Sequence, residues 1–183
     1  MPHYHLLHTE WSDGWGGQER RIVNEMAGMQ ARGHQVHLAT RAGAQIIAPA
    51  QAAGITVTTL PFAGKFDRAT ISGLVRYIRE HRIDLVNTHS GKDSWSGGLA
   101  AKWARVRLVR TRHLDLPLRR HPLNFVHYLH DALISCGQLM REHLLAAGFP
   151  AQEVVSIPTG IDFERFTPTQ SRTQVRAQLG ISP

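Results

Sequence analysis

The sequence predicts an α/β fold: a Rossmann-like, doubly wound, mainly parallel sheet of about seven strands with helices on both faces. Short apolar runs alternate along the chain with segments of helical periodicity. Glycines stand where those helices should stop. Polar, glycine-bearing loops follow the first, fourth and fifth apolar runs, where an open parallel sheet holds its ligands.

Strands are expected at residues 4–9, 36–40, 57–60, 85–89, 108–111, 132–135 and 154–157. The first helix, 18–32, carries Ile22, Met26 and Met29 on one face and ends at Gly33. The uncharged stretch 42–64 is long enough to raise the question of a bilayer span. Pro49, Gly54, Pro61 and its threonines argue instead for a helix, a turn and a buried strand. Between 67 and 81, Ile71, Leu74, Val75 and Ile78 recur at i, i+3, i+4 and i+7, the clearest amphipathic helix of the chain. Trp95, Leu99 and Trp103 form another stripe, and Phe125, Tyr128, Leu129 and Ala132 a fourth; both are read as core. A further helix stops at Gly148 before the last strand. Crossovers between parallel strands are right-handed, so the helices cover both faces. With the usual order 3-2-1-4-5, the binding crevice opens between the first and fourth strands. Ser171-Arg-Thr-Gln174 reads as a capping box opening a short helix with Val175 and Leu179 on one side. Residues 1–168 are therefore expected to form one domain, with 169–183 a linker and the start of a second.

Composition narrows the chemistry. Lysine and arginine number 21 against 14 aspartate and glutamate, a formal charge of +7, which favours anionic partners. Much of that charge falls in one run, Lys102, Arg105, Arg107, Arg110, Arg112, Arg119 and Arg120. A solvated basic face and a patch for an anionic membrane surface are both open readings. No nucleic-acid motif accompanies the run, so no nucleic-acid partner is expected. The single cysteine, Cys136, excludes an internal disulfide framework and is read as a buried structural thiol. Met1-Pro-His-Tyr-His lacks the basic start and apolar core of a signal peptide, so a cytoplasmic setting is expected, with peripheral contact at the inner membrane compatible with the charge.

The loops carry the candidate site. Gly16 and Gly17 precede a helix, and their missing side chains would let a phosphate reach backbone N–H groups at its positive end. A plain tight turn explains the pair equally well. The dinucleotide fingerprint fails because Glu19 stands where glycine or alanine is needed, and neither Gly64-Lys65 nor Gly91-Lys92 is followed by the hydroxyl residue of a P-loop. His89 and His113 end neighbouring strands, and a neutral imidazole there could accept or relay a proton from a sugar hydroxyl. Ser90, Lys92, Asp93 and Arg112 lie beside them, with Lys92 and Arg112 suited to a phosphate or carboxylate on the substrate. His3, His5 and His8 open the chain without a Cys or carboxylate cluster at ligand spacing, so neither a metal nor another cofactor is expected. A serine hydrolase is excluded by the lack of a G-x-S-x-G elbow.

In order, Gly16-Gly-Gln-Glu-Arg20, Ala31-Arg-Gly-His-Gln-Val-His-Leu38, Asp84-Leu-Val-Asn-Thr-His-Ser90, Gly97-Gly-Leu-Ala-Ala101, Val109-Arg-Thr-Arg-His113 and Val155-Ser-Ile-Pro-Thr-Gly-Ile-Asp162 resemble the N-terminal domain of family 4 of the retaining glycosyltransferases, which have the two-lobed GT-B fold. The resemblance covers nearly the whole chain. It implies a nucleotide-sugar-dependent transferase in which this lobe shapes the acceptor site. Gly16 and Gly17 would approach the donor diphosphate, His113 would lie beside the transferred sugar, and His89 would sit near the acceptor. The acceptor would be a glycan or a lipid-linked molecule, as in cell-surface polysaccharide or lipopolysaccharide synthesis. The lobe that grips the nucleotide would follow residue 183, and residues 1–183 alone would not catalyse. Thr159 stands where the family usually has asparagine. Two other readings remain open: a non-catalytic binding subunit of a two-chain transferase, and half of a nucleotide-sugar epimerase.

Overall fold

The structure is a computed structural model that describes residues 2–118, 122–161, 163 and 167–182. Seven strands form one all-parallel sheet: β1 His5–Glu10, β2 Gln35–Thr40, β3 Thr56–Thr59, β4 Leu85–Thr88, β5 Arg107–Arg112, β6 Ala132–Ser135 and β7 Val154–Ser156. Their order is β3-β2-β1-β4-β5-β6-β7, so the order reverses between β1 and β4. The helices are α1 Gly17–Ala31, α2 Ile47–Ala52, α3 Arg68–Glu80, α4 Asp93–Ala104, α5 Gln138–Ala146 and α6 Arg172–Gln178, with a 3-10 segment at Pro122–Tyr128. No helix among the described residues is long and apolar enough to cross a membrane.

Each face of the sheet has its own core. Leu6, Val36 and Leu38 point to one side and pack with Ile22, Val23 and Met26 of α1. Leu7, Val86 and Leu108 point to the other and pack with Ile71, Leu74, Val75 and Ile78 of α3 and with Ala100 and Ala101 of α4. A third cluster joins Leu133 and Val154 to Met140 and Leu144 of α5. The helix ends follow the residues that stop them. Asp67 caps α3 by accepting the Ala69 N–H at 3.1 Å. Gly33, Gly54 and Gly148 take φ of 89°, 77° and 87° after α1, α2 and α5, a region costly for a residue with a Cβ.

The first half of α4 is buried nearly all round, including Trp95, Ser96, Gly97 and Gly98. Its glycines let the helix lie directly on the sheet: a Cβ on Gly97 would come within 2.8 Å of Thr88 Cγ2 and 3.1 Å of Thr9 Oγ1. Gly97→Ala is therefore expected to lower stability by about 1–3 kcal/mol, the usual cost of overpacking, read as a fall in the urea midpoint at constant slope.

Three expectations need correction. Trp103 is 66% exposed: the last turns of α4 present Ala100, Ala101 and Ala104 to the core, and Trp103 lies at the surface beside Val75 and Arg79 of α3. Phe125 and Tyr128 are 42% and 38% exposed, packed on Trp95 and Phe149 at the surface rather than in the core; their segment is 3-10, kinked at Asn124, and Ala132 begins a strand. The third strand is the sheet edge and is half-buried rather than buried. The capping box at Ser171 does open α6, whose Leu179 neighbour is exposed.

Candidate functional site

The register of the central strands gathers the site at their carboxyl ends. His8 lies opposite Asn87, and Asn87 opposite Val109. Side chains alternate along a strand, so His89, two residues beyond Asn87, and His113, four beyond Val109, share the α1 face with His8. The three imidazoles climb diagonally across β1, β4 and β5. His8 Nδ1 is 2.8 Å from His89 Nε2, His89 Nδ1 is 3.0 Å from His113 Nε2, and His113 Nδ1 is 3.6 Å from Cys136 Sγ. His8 and His89 rings stack with centroids 5.1 Å apart.

Burial keeps this row neutral. It pushes His8 down to about 4 and holds His89 well below the ordinary histidine range. His113 falls to about 4 through burial, reinforced by the Arg21 guanidinium. Each neutral ring has one N–H, so the row must be polarised one way or the other. The end of the row decides which. His8 Nε2 is buried without a partner among the described residues, and a buried orphan N–H is rarer than a buried orphan acceptor. His8 thus has its proton on Nδ1 and donates to His89; His89 donates to His113; His113 presents its own N–H from Nδ1. This assignment makes His113 a hydrogen-bond donor at the crevice, with only a soft thiol contact to displace.

Two buried acids flank the row. Asp93, fully buried, accepts from Thr9 Oγ1 at 2.9 Å, from the N–H groups of His89 and Ser90 at 2.8 Å each, and from the Ser90 hydroxyl. Its carboxylate fixes the β4–α4 loop from inside, while burial raises its pKa. Glu10, also fully buried, accepts from Ser12 N at 2.8 Å and from Gln18 Nε2. Burial and then the Asp93 charge push Glu10 up to about 8.

The expected residues fall into two groups. His89, Ser90, Arg112 and His113 line one cavity of about 280 Å³ with Gly91, Arg110 and His127. Asp93 sits beneath that loop, and Lys92 reaches away to lie 3.6 Å from the Trp11 ring centroid. Gly16 precedes α1, and its N–H donates to Glu19 Oε2 at 2.7 Å. A Cβ on Gly17 would meet nothing within 4 Å, so the face there is open. His3 and His5 are elsewhere, bonded to the carbonyls of Gly33 and His81 at the opposite edge. Cys136 is half-buried beside His113 rather than buried, and its thiol pKa is raised by burial.

Sequence reasoning missed His8, Glu10, Arg21, Arg110 and His127. Arg21 Nη2 donates to Ile157 O at 2.7 Å and Nη1 to Thr159 Oγ1 at 2.9 Å, so the threonine at the family's asparagine position accepts a bond from α1. The basic run splits between two places. Lys102, Arg105 and Arg107 lie at the amino end of the sheet with Asp84 and Asp131, Arg110 and Arg112 at the carboxyl end. Arg119 and Arg120 lie outside the described residues.

The profile of Glycosyltransferase Family 4 matches residues 15–165. A glycosyltransferase from Rickettsia africae superposes with a TM-score of 0.80 at 18% identity, covering 100% of this chain and 51% of that one. HepE of Anabaena in complex with UDP-glucose gives 0.77 at 21% identity, over 97% of this chain and 50% of that one. UDP-GlcNAc 2-epimerase from Neisseria meningitidis gives 0.67 at 14%, over 96% and 54%. The chain spans about half the length of these structures, and the likeness is one of fold. Comparison with curated protein sequences gives no match.

Proposed function

The chain belongs to glycosyltransferase family 4, and on that premise we propose that it is the acceptor-side lobe of a retaining, nucleotide-sugar-dependent transferase. One observation supports this reading above the rest: the loops after β1, β4 and β5 converge on one open edge at the point where strand order reverses. The donor diphosphate approaches the first turn of α1 at Gly16 and Gly17. Glu19 already accepts the Gly16 N–H, so the open approach is at Gly17. His113 donates its Nδ1–H to an oxygen of the transferred sugar or the leaving group, a neutral donor in a partly dry site. His89 and Asp93 act through others, His89 by orienting His113 and Asp93 by fixing the loop that bears Ser90. A second lobe, for which the greater length of the matched structures leaves room, grips the nucleotide; residues 169–183 lead towards it.

The acceptor is a glycan or lipid-linked molecule, in keeping with surface polysaccharide or lipopolysaccharide synthesis. The rim of the crevice supports a partly apolar acceptor: Leu114 and Leu116 line it and are each 64% exposed. Such a rim beside cationic groups also suits peripheral contact with an anionic membrane.

The test is to assay the full-length protein against a panel of nucleotide sugars with amphiphilic glycan acceptors. The expected outcome is transfer with retained anomeric configuration, and none from residues 1–183 alone. Isomerisation of the nucleotide sugar without transfer would overturn the reading in favour of an epimerase.

A further inference from the structure

We propose that Arg110 and Arg112 form an oxyanion site in the crevice that binds a phosphate group carried by the acceptor. The inference rests on the transferase reading for the word acceptor, while the anion site itself stands on the geometry alone.

Arg110 and Arg112 are 6% and 7% exposed, side by side on a central strand. Among the described residues no carboxylate lies within ion-pair distance of either guanidinium. Arg110 donates to His127 Nδ1, a neutral acceptor. Arg112 donates from Nη2 to the carbonyls of Leu114, at 3.2 Å, and Leu116, while its Nε is buried without a partner among the described residues. Buried charges are ordinarily paired, because removing an ion from water is costly unless a counter-charge replaces the lost solvation. Burial, and after it the like charge of Arg112, lower Arg110 to about 10. The acids whose charges reach the pair are Asp93 at Arg110 and Asp115 at Arg112; Asp93 is already bonded to four donors and Asp115 to His143 at 2.7 Å. Lys65 adds a third cation nearby, its Nζ 5.3 Å from the Trp95 ring, and that ring is 6.5 Å from His127. The missing negative charge belongs to a ligand, and a guanidinium fork suits phosphate.

The two anions approach one cavity from different faces of the sheet. Arg110 and Arg112 share the face of Leu108, which packs towards α4, whereas the glycine loop opens α1 on the other face; the two meet at the carboxyl edge, where Gln18 of α1 lines the same cavity as Arg110 and Arg112. The second anion is assigned to the acceptor because the diphosphate is already placed at Gly17, and the UDP arm of the test separates the two.

The probes are inorganic phosphate and a hexose 1-phosphate, titrated against the 183-residue chain and its Arg110→Met variant, and UDP, titrated against the full-length protein and the same variant, by thermal shift and calorimetry, with chloride matching the ionic strength. Phosphate and hexose phosphate are expected to raise the wild-type Tm saturably, and Arg110→Met to weaken both by 10-fold or more. Without phosphate the variant should be at least as heat-stable as wild type, since an unbalanced charge is gone. UDP binding should not depend on Arg110. An equal shift in variant and wild type, or the same shift from chloride, overturns the site. Loss of UDP affinity in the variant with hexose phosphate spared assigns the anion to the donor and overturns the acceptor assignment. Arg112→Met, read in the same way, serves if Arg110→Met does not fold. None of these readouts needs turnover, so a failed transferase reading and a failed anion site give different results.

Discussion

In the full-length enzyme, His113→Ala is expected to lower turnover by about 100-fold, the cost of removing one preorganised donor from a transition state. The domain should stay folded. The lost ring leaves the His89 Nδ1–H facing an opened crevice where water can replace its acceptor. The pH profile separates the donor role from a general base. Burial holds His113 at about 4, so the ring is neutral from about pH 5 upward and contributes no inflection near the ordinary histidine value of about 6.5. Steady-state rates from pH 5 to 9 check this directly. A limb near 6.5 that disappears in His113→Gln would make the ring a base and reverse the polarity assigned to the row.

The stability difference between wild type and Glu10→Gln is expected to change steeply with pH. The carboxyl is raised in the folded state from 4.5 to about 8, so folding favours its protonated form. That contribution is complete below pH 4.5 and is lost as pH climbs through 8. The stability of wild type minus that of Glu10→Gln should fall by about 1.4 kcal/mol per pH unit between pH 5 and 8, on the order of 4 kcal/mol in total. Denaturant titrations of both proteins at several pH values measure it. A flat difference would mean that Glu10 is ionised in the fold and balanced by a cation. Subtracting the variant matters because the histidines act oppositely: depressed to about 4, His8 and His113 contribute stability above pH 6.5 that is lost in acid.

Much of the architecture was legible because it is local. Apolar runs placed every strand to within two residues or so, and α3 was evident from Ile71, Leu74, Val75 and Ile78, all buried as their spacing requires. The glycines marked helix ends because φ near 80° selects for them. The stripes at Trp103 and Phe125 misled because periodicity reports a common face, not what covers it. The polar site was only half visible. His89 and His113 could be found at strand ends, but His8 looked like one of a terminal trio. Its role depends on register with β4, a pairing 81 residues away. Arg110 carried a usable signal in Arg110-Thr111-Arg112, two cations on one face of a central strand. Reading it requires knowing that, among the described residues, no carboxylate pairs with either guanidinium, which only the packed structure supplies.

Arg21 has a mechanical consequence. It sits in the second turn of α1 and clasps the chain leaving β7 through Ile157 and Thr159. The helix that begins at the glycine pair and the exit of the last strand are thus bolted together across the top of the sheet. The same guanidinium lowers the His113 pKa through its charge, so one side chain ties the position of that exit segment to the start of α1 and to the imidazole at the crevice.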